Sequence, residues 1–200
     1  MTIMVWRRIV FVALALALAP LSARETVPAA QATFEALFTP GDAIDVKLAG
    51  LIDGAEHEVL VNAFSFTNRK IARALAAAQA RGARVEIVAD RMQTLEQSGS
   101  AVRDLARRGV PVWLDGNFAA AHNKVMIVDA GTPHATVVTG SYNYTTAAQT
   151  RNAENVLIVR HDAALTLQYR ANFLRLRDRA MRYDGTTPAT LRGQGEGRLR

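Results

Sequence analysis

Residues 58–66 read Glu-Val-Leu-Val-Asn-Ala-Phe-Ser-Phe, and this apolar run, rich in β-forming residues, decides the fold. It is short and continuous, which is typical of a strand that is buried on both faces. A helical pattern follows it, and strand and helix patterns then alternate as far as Leu114. Such alternation predicts parallel strands joined by right-handed crossover helices that cover the sheet. The predicted strands of this unit are 58–66, 84–89 and 110–114, and the predicted helices are 68–82 and 94–108.

The segments on both sides extend this unit into a larger domain, residues 33–182. Upstream, residues 33–38 predict a strand, and Asp42 is predicted to cap a helix that Gly54 ends. Downstream, two strands separated by a loop with glycine and proline predict an antiparallel hairpin. The sequence therefore predicts an α/β fold in which helices sandwich a mixed β-sheet. The downstream elements are the hairpin strands 122–128 and 135–141, a last strand 154–159 and a helix 162–182.

The composition fits one globular domain and removes several kinds of site. The 200 residues are 50% hydrophobic and 21% charged, which is the balance of an ordinary folded chain. The sequence has no cysteine, and this excludes disulfides, thiolate nucleophiles and cysteine-based metal sites. His57, His134 and His161 have no ligand-like spacing to one another. We therefore expect a site that uses no metal and no cofactor.

The first 23 residues have the pattern of a secretory signal peptide. Arg7 and Arg8 precede an apolar run at 9–19, and Ala23 ends a stretch that suits cleavage. The run is shorter than the roughly 20 residues of a membrane span, so a cleaved signal is favoured over a permanent anchor. We expect a periplasmic or secreted protein without stable membrane anchoring.

Positive charge is concentrated in the C-terminal part of the chain. The formal net charge is +6, and residues 160–200 contain nine arginines against four carboxylates. Such a surface can bind a polyanion through phosphate contacts and counterion release. Without other evidence, a solvated helix face followed by a tail is the favoured explanation of these charges. Residues 183–200 lack periodicity and are predicted to form a disordered basic tail.

Reactive side chains gather on the predicted hairpin. Residues two apart on a strand face the same way, so His122 and Lys124 should project from one surface. By the same period Ser141 and Asn143 can come from the neighbouring segment, and Gly140 lets backbone amides approach a ligand closely. Lysine supplies a point charge, serine and asparagine supply neutral donors, and a near-neutral histidine can attack phosphorus. This combination suits the binding and cleavage of a phosphodiester.

These residues resemble the signatures of the phospholipase D superfamily. The motif H-x-K-x4-D appears as His122-Asn-Lys124-Val-Met-Ile-Val-Asp129, and G-S-x-N appears at 140–143. The stretch 151–155 looks like the segment that carries the acidic partner of the histidine. Because the chain has one such motif, the resemblance is closest to the small single-motif bacterial endonuclease branch. It implies the phospholipase D nuclease-like fold over the whole predicted domain.

The resemblance also implies roles for individual residues. Glu154 would orient His122 and stabilise its charged form. Asp129 lies five residues from Lys124 and faces away from it on a regular strand, so structural support and direct contact both stay open for Asp129. The implied catalytic residues are His122, Lys124, Asn143 and Glu154, the implied phosphate-binding residues are Lys124, Ser141 and Asn143, and the supporting residues are Asp129 and Gly140.

One motif gives half of an active site, so the resemblance implies a homodimer in which two copies of His122 meet across a two-fold axis. One copy would attack phosphorus and the other would protonate the leaving oxygen. We expect a metal-independent, sequence-nonspecific endonuclease whose substrate is DNA or RNA. Hydrolysis of phospholipid or cardiolipin is the alternative, because fold and motif do not separate these substrates. The intact set of reactive groups disfavours a noncatalytic nucleic-acid-binding protein.

The chain departs from the family pattern in one loop. Ten residues, 130–139, separate Asp129 from Gly140, and the family usually has fewer. The surplus falls in a turn that contains His134. It changes no matched residue, but it leaves open what this loop does at the rim of the site or at a dimer edge.

Overall fold

The computed structural model describes residues 31–186, so the predicted signal peptide and most of the predicted tail lie outside the described residues. Within 31–186, no helix combines the length and the apolar character needed to cross a bilayer. The strands are β1 (Thr33–Thr39), β2 (Glu58–Ala63), β3 (Arg84–Asp90), β4 (Val112–Asp115), β5 (Lys124–Val128), β6 (Thr136–Gly140), β7 (Glu154–Arg160) and β8 (Met181–Tyr183). The helices are α1 (Ile44–Asp53), α2 (Arg69–Ala80), α3 (Arg91–Glu96), α4 (Ala101–Arg107), α5 (Thr146–Thr150) and α6 (Ala163–Arg177).

All the strands belong to one eight-stranded sheet, in the order β1-β7-β6-β5-β2-β3-β4-β8. Strands β2, β3 and β4 are parallel and are joined by helices, as the alternating pattern predicts. Strand β5 pairs antiparallel with β2, and β6, β7 and β1 continue antiparallel on that side. Strand β8 pairs antiparallel with β4 at the other edge. The predicted α/β fold with a mixed sheet between helices is therefore confirmed.

The alternation of side chains on β2 divides the core into two layers. Val59 and Val61 pack with the buried residues of α1, α2 and α4. Leu60 faces the opposite side of the sheet and packs with Phe173 of α6. Burying a side chain of this kind stabilises the fold by about 1.5–3 kcal/mol, so Phe173 helps to hold α6 against the sheet.

The turn after β1 corrects the predicted start of the first helix. The N-cap of α1 is Ala43, and no side chain caps this helix. The carboxylate of Asp42 instead accepts a hydrogen bond of 2.8 Å from the backbone amide of Phe38. The backbone amide of Asp42 also donates to the Phe38 carbonyl at 2.9 Å. Asp42 therefore closes the turn at the end of β1. Its carboxylate is already bonded to Phe38, and it lies one residue before the N-cap position of α1.

Two predicted helices have different limits in the structure. The helix predicted at 94–108 is divided into α3 and α4, because Gly99 adopts a backbone φ of +75° between them. The helix predicted at 162–182 ends at Arg177. The chain then adds β8 to the sheet, and Tyr183 is only 3% exposed. The folded part of the chain thus includes Tyr183. Strand β8 was not predicted because three residues are too few to show a period of two in the sequence.

Candidate active site

The strand registers bring four strand ends together at one end of the sheet. Antiparallel pairing of β2 with β5 places Ala63 opposite Lys124. Pairing of β6 with β7 places Gly140 opposite Val156. The ends of β2 and β6 therefore meet the beginnings of β5 and β7, and we call this region the site end of the sheet. It contains the predicted residues His122, Lys124, Ser141, Asn143 and Glu154.

His122 and Lys124 share one aromatic neighbour, Phe64. The His122 ring lies 4.5 Å from the Phe64 ring, measured between centroids, and the Lys124 Nζ lies 4.8 Å from the Phe64 centroid. The Lys124 Nζ also donates a 2.8 Å hydrogen bond to the His122 carbonyl. Strand β5 begins at Lys124, so the prediction that both residues lie on the strand is wrong for His122. The imidazole and the ammonium group are nevertheless neighbours, and His122 is exposed.

The sequence carries no signal for the role of Phe64. This residue directly follows β2 and belongs to no matched motif. Its contact with His122 and Lys124 depends on the pairing of β2 with β5, which joins segments about sixty residues apart. Only the sheet order reveals that Phe64 supports both groups.

Lys124 is a buried cation, with 7% of its surface exposed. Burial lowers its pKa from the ordinary lysine value, and the negative charge of Glu154 partly opposes that change. A charge in such a poorly solvated position acts more strongly on a bound anion than a charge in water does. Lys124 is therefore well placed to stabilise the charged oxygens of a phosphodiester.

The Glu154 carboxylate is held by two neighbours within the site. The Ser141 Oγ donates to Glu154 Oε2 at 2.6 Å, and the Asn152 Nδ2 donates to Oε1 at 2.8 Å. The Ser141 Oγ in turn accepts a hydrogen bond of 3.1 Å from the Asn155 amide. Among the described residues, no hydrogen bond joins Glu154 to His122. In this structure Ser141 positions Glu154, and its hydroxyl proton is not directed to the open side of the site.

Asn143 has an uncommitted side chain. Its Oδ1 is buried, and the side-chain amide makes no hydrogen bond within residues 31–186. The residue is fixed through its backbone, since its carbonyl accepts a 2.7 Å hydrogen bond from the Thr145 amide. A buried polar group without a partner costs about 1–3 kcal/mol. The amide nitrogen is the atom of Asn143 that can donate to a phosphate oxygen, and phosphate binding by this residue stays a prediction.

Gly140 is required by the neighbouring strand. A Cβ atom at this position would overlap the carbonyl of Asn155 on β7. The same carbonyl accepts a 3.1 Å hydrogen bond from the Ser141 amide. The structure therefore gives Gly140 a packing role, because it allows β6 to approach β7 closely where the site begins. The expectation that Gly140 also lets backbone amides approach a ligand stays a prediction.

Asp129 lies at the far end of β5 from the site. Its carboxylate accepts hydrogen bonds of 2.9, 2.7 and 2.9 Å from the backbone amides of Glu56, His57 and Glu58. Asp129 is 3% exposed and has a backbone φ of +48°. Of the two roles left open for it, the geometry supports the structural one, because these bonds fix the start of β2 beside the end of β5.

Replacing Asp129 by Asn is expected to lower the free energy of unfolding by about 1–3 kcal/mol, because the side-chain NH₂ would face backbone donors that lose an acceptor. The rate of phosphodiester cleavage per folded molecule should stay at the wild-type value. Denaturant titration followed by circular dichroism, with activity assays well below the unfolding transition, measures both quantities. Asp53→Asn, at a carboxylate with 61% side-chain exposure, is the matched control. A folded but inactive Asp129→Asn protein would contradict the structural role.

The longer hairpin loop lies away from the site end. The Gly131 amide donates to Thr166 Oγ1 of α6 at 3.2 Å. His161 Nδ1 lies 2.8 Å from the Pro133 carbonyl oxygen, and the His161 amide donates to the Ala135 carbonyl at 2.9 Å. The extra residues therefore pack beside the beginning of α6, at the opposite end of β5 from His122.

No group of three or more histidine, aspartate or glutamate side chains in the described part of the chain is arranged to hold a metal ion. The positive group next to His122 is the ammonium group of Lys124. The expectation of a metal-free mechanism stays a prediction, and it can be tested directly.

A helix-flanked mixed sheet that brings H-x-K, G-S-x-N and a strand-borne glutamate to one end defines the phospholipase D class of phosphodiesterase folds. The family model described as "Cardiolipin synthase, PLD-like domain" matches residues 48–177. The chain belongs to this family, within the phospholipase D superfamily and its small Nuc-like branch.

Solved structures support the assignment to this branch. The phospholipase D family member Nuc from Salmonella typhimurium superimposes with a TM-score of 0.71 and 31% identity, over 76% of this chain and 99% of that one. NucT from Helicobacter pylori has a TM-score of 0.67 over 76% of this chain and all of that one. Its 23% identity supports the fold alone.

Curated relatives carry lipid-related names. The chain is 39% identical over 137 residues to "Phospholipase D" of Rickettsia bellii, covering 68% of this chain and 65% of that protein. It is 33% identical over 130 residues to "Mitochondrial cardiolipin hydrolase" of Xenopus tropicalis, covering 65% of this chain and 59% of that protein. The chain thus spans somewhat less than two thirds of the length of these relatives.

Proposed function

We propose that this protein is a metal-independent phosphodiesterase that cleaves nucleic acid. The observation that carries the proposal is the exposed His122 imidazole beside the buried Lys124 ammonium group, with the uncommitted Asn143 amide at the same end of the sheet. A nucleophile, a cation and a neutral donor are the groups that displacement at phosphorus needs. The match over nearly the full length of Nuc favours nucleic acid as substrate.

The proposed reaction proceeds in two displacements. The His122 imidazole attacks phosphorus, an N–P bond forms, and the P–O bond to the leaving group breaks as the partner subunit's His122 gives that oxygen a proton. Water then attacks phosphorus, its proton passes to the partner subunit's His122, and the N–P bond breaks. Lys124 and the Asn143 amide stabilise the charge on the non-bridging oxygens in both steps.

A second copy of the chain is part of this proposal. Each chain has one H-x-K motif and one exposed His122, whereas the reaction needs an acid and a nucleophile on opposite sides of phosphorus. Phe34 and Phe38 of β1 and Leu157 of β7 share one sheet face by their register, and they are 69%, 56% and 39% exposed. A second copy can cover such an apolar surface, which monomers rarely expose.

Hydrolysis of a lipid phosphodiester is the second candidate. It is favoured by the names of the curated relatives, which refer to phospholipase D and to cardiolipin hydrolase. The residues that contact the phosphate would be the same for both substrates, since they recognise the phosphodiester and not the groups attached to it. Direct comparison of substrates separates the two functions.

We predict that the purified protein cleaves plasmid DNA in excess EDTA, because Lys124 and Asn143 supply the charge stabilisation that metal ions provide at many other phosphoryl-transfer sites. Plasmid, RNA and cardiolipin vesicles are incubated with the protein in parallel, with and without EDTA. The His122→Ala protein, purified in the same way, controls for a contaminating nuclease. Loss of cleavage in EDTA that Mg²⁺ or Zn²⁺ restores would refute the metal-free mechanism. Hydrolysis of vesicles alone would establish the lipid function.

A further inference from the structure

A groove of about 620 Å³ opens beside His122 on the α6 side of the sheet. Its volume is within the range of about 300–1,000 Å³ that is typical of small-molecule sites. The groove takes part in no step of the proposed reaction except through His122. Its chemically distinctive lining residues are Asn62, Asp115, Phe118, Arg175 and Arg179, and we call it the His122 groove.

The arginines of the α6 region fall into two sets. Arg170 and Arg177 are tied to sheet carboxylates, through a 2.8 Å contact with Glu58 and a 2.9 Å contact with Glu86. Arg175 and Arg179 line the His122 groove, and neither forms an ion pair with a carboxylate in the described part of the chain. Within residues 31–186, the hydrogen-bond partner of the Arg175 guanidinium group is the neutral Asn172 Oδ1, at 2.6 Å. The groove therefore has two guanidinium groups that are available to an anion.

The floor of the groove presents polar groups of a different kind. Asn62 is 4% exposed, and its side-chain amide makes no hydrogen bond within residues 31–186 although it lines the groove. Asp115 is 2% exposed, and its Oδ1 accepts two 3.0 Å hydrogen bonds from Asn117. Its Oδ2 accepts no hydrogen bond from the described residues. The unpartnered atoms of Asn62 and Asp115 are not sealed from solvent, so a ligand in the groove can reach them. The floor thus offers a donor and acceptors to a ligand that carries both kinds of group.

The outer wall of the groove is aromatic. Phe118 is 52% exposed and lies on the loop that leads to His122. An exposed aromatic ring beside cations is the arrangement on which single-stranded nucleic acids stack their bases. A base can stack there only if it is not already paired and stacked in a duplex.

We infer that the His122 groove holds the nucleotide next to the scissile phosphate, with its base against Phe118 and its polar edge toward Asn62 and Asp115. Arg175 and Arg179 bind the phosphate on the far side of that nucleotide. The Asp115 carboxylate repels a phosphate from the floor, so the anionic part of the ligand stays at the arginines. An acyl chain would cover the Asn62 side-chain amide and the Asp115 Oδ2 atom without giving either a hydrogen-bond partner, which disfavours a lipid tail in the groove. This inference rests on the proposed function and deepens it, because it makes an unpaired strand the preferred substrate.

The test compares substrates that reach the groove with one that does not. The substrates are a fluorescent single-stranded oligonucleotide, the same sequence as a duplex, and bis(4-nitrophenyl) phosphate, which has no base. The variants are Phe118→Ala and the double variant Arg175→Gln with Arg179→Gln. Val46→Ala and Arg73→Gln, at exposed positions on α1 and α2, are the matched controls.

Wild-type protein should cleave the single strand in preference to the duplex. Phe118→Ala should lower kcat/KM for the single strand by about 5- to 150-fold, the range for loss of one stacked base, and the double variant should weaken the salt dependence of cleavage. Both should lose much less activity on bis(4-nitrophenyl) phosphate than on the single strand, because this substrate has no base edge and no second phosphate, and the controls should match wild type on every substrate. Equal cleavage of duplex and single strand, or groove variants that behave like the controls, would overturn the inference and leave the nuclease intact.

If Phe118→Ala impaired only the binding of cardiolipin vesicles, Phe118 would be a membrane contact and the inference would be wrong. Hydrolysis of the small phosphodiester without cleavage of any oligonucleotide would instead overturn the proposed function.

Discussion

His122→Ala is expected to lower the rate of phosphodiester cleavage by more than the factor of about 10²–10⁴ that is typical of losing acid-base catalysis alone. In the proposed dimer the same residue is the nucleophile in one subunit and the general acid in the other, so one substitution removes both functions. The fold should be retained, because His122 is exposed and lies outside β5. Circular dichroism and the hydrolysis rate of bis(4-nitrophenyl) phosphate measure the two effects separately.

Mixed dimers of wild-type and His122→Ala subunits test whether the site is shared. Differently tagged subunits are combined and the mixed dimer is isolated through both tags. If two copies of His122 act on one phosphorus, the mixed dimer should be nearly inactive. Activity at half the wild-type level would show that each subunit works alone, and the shared site would then be wrong. A mixed dimer of wild-type subunits carrying both tags controls for the effect of the tags.

Lys124→Met is expected to lower kcat by about 10²–10³, the usual result of removing one group that stabilises transition-state charge. The substitution keeps much of the aliphatic side chain at this buried position and removes only the cation. Lys124→Arg keeps the charge and should retain more activity than Lys124→Met. Full activity of Lys124→Met on the small phosphodiester would rule out a catalytic function for the lysine.

The pH dependence of the rate provides a second measure of Lys124. Burial lowers the pKa of its ammonium group, so the side chain loses its charge at a lower pH than an ordinary lysine does. Activity that needs the charged form should be present below this lowered pKa and should decline as the pH rises through it. The guanidinium group of Lys124→Arg stays charged at all accessible pH values, so its alkaline decline should shift to higher pH. The same alkaline limb in both proteins would assign the titration to another group.

The sequence was sufficient for features that depend on local pattern. The apolar run at 58–66 predicts β2, and Asn68 caps α2 by accepting hydrogen bonds from the amides of Lys70 and Ile71, as its position suggests. The spacing from His122 to Asp129 is likewise a local property, which is why the family could be recognised before the fold was known.

Features that depend on contacts between distant segments were not predictable. Phe64 meets His122 only because β2 pairs with β5. The excess of arginine near the C-terminus is visible in the sequence. Which arginine meets a carboxylate depends on the helix face that packs on the sheet: Arg170 pairs with Glu58, whereas Arg175 lines the groove and forms no ion pair within residues 31–186. The hydrogen bond from Ser141 to Glu154 requires β6 and β7 to lie side by side.

The hydrogen bonds of Asp129 give the spacing of the H-x-K-x4-D motif a mechanical meaning. They clamp one end of β5 to the start of β2, and the five residues Lys124–Val128 are all buried between that clamp and the site. Because β5 is fixed at its Asp129 end, a single residue inserted within the strand would turn the side chains that precede the insertion, including Lys124, to the opposite face. Insertions within β5 would therefore displace Lys124, whereas insertions directly after Asp129 lengthen the hairpin loop. The loop 130–139, which is longer than the resemblance predicts, lies on the far side of the clamp from the site end.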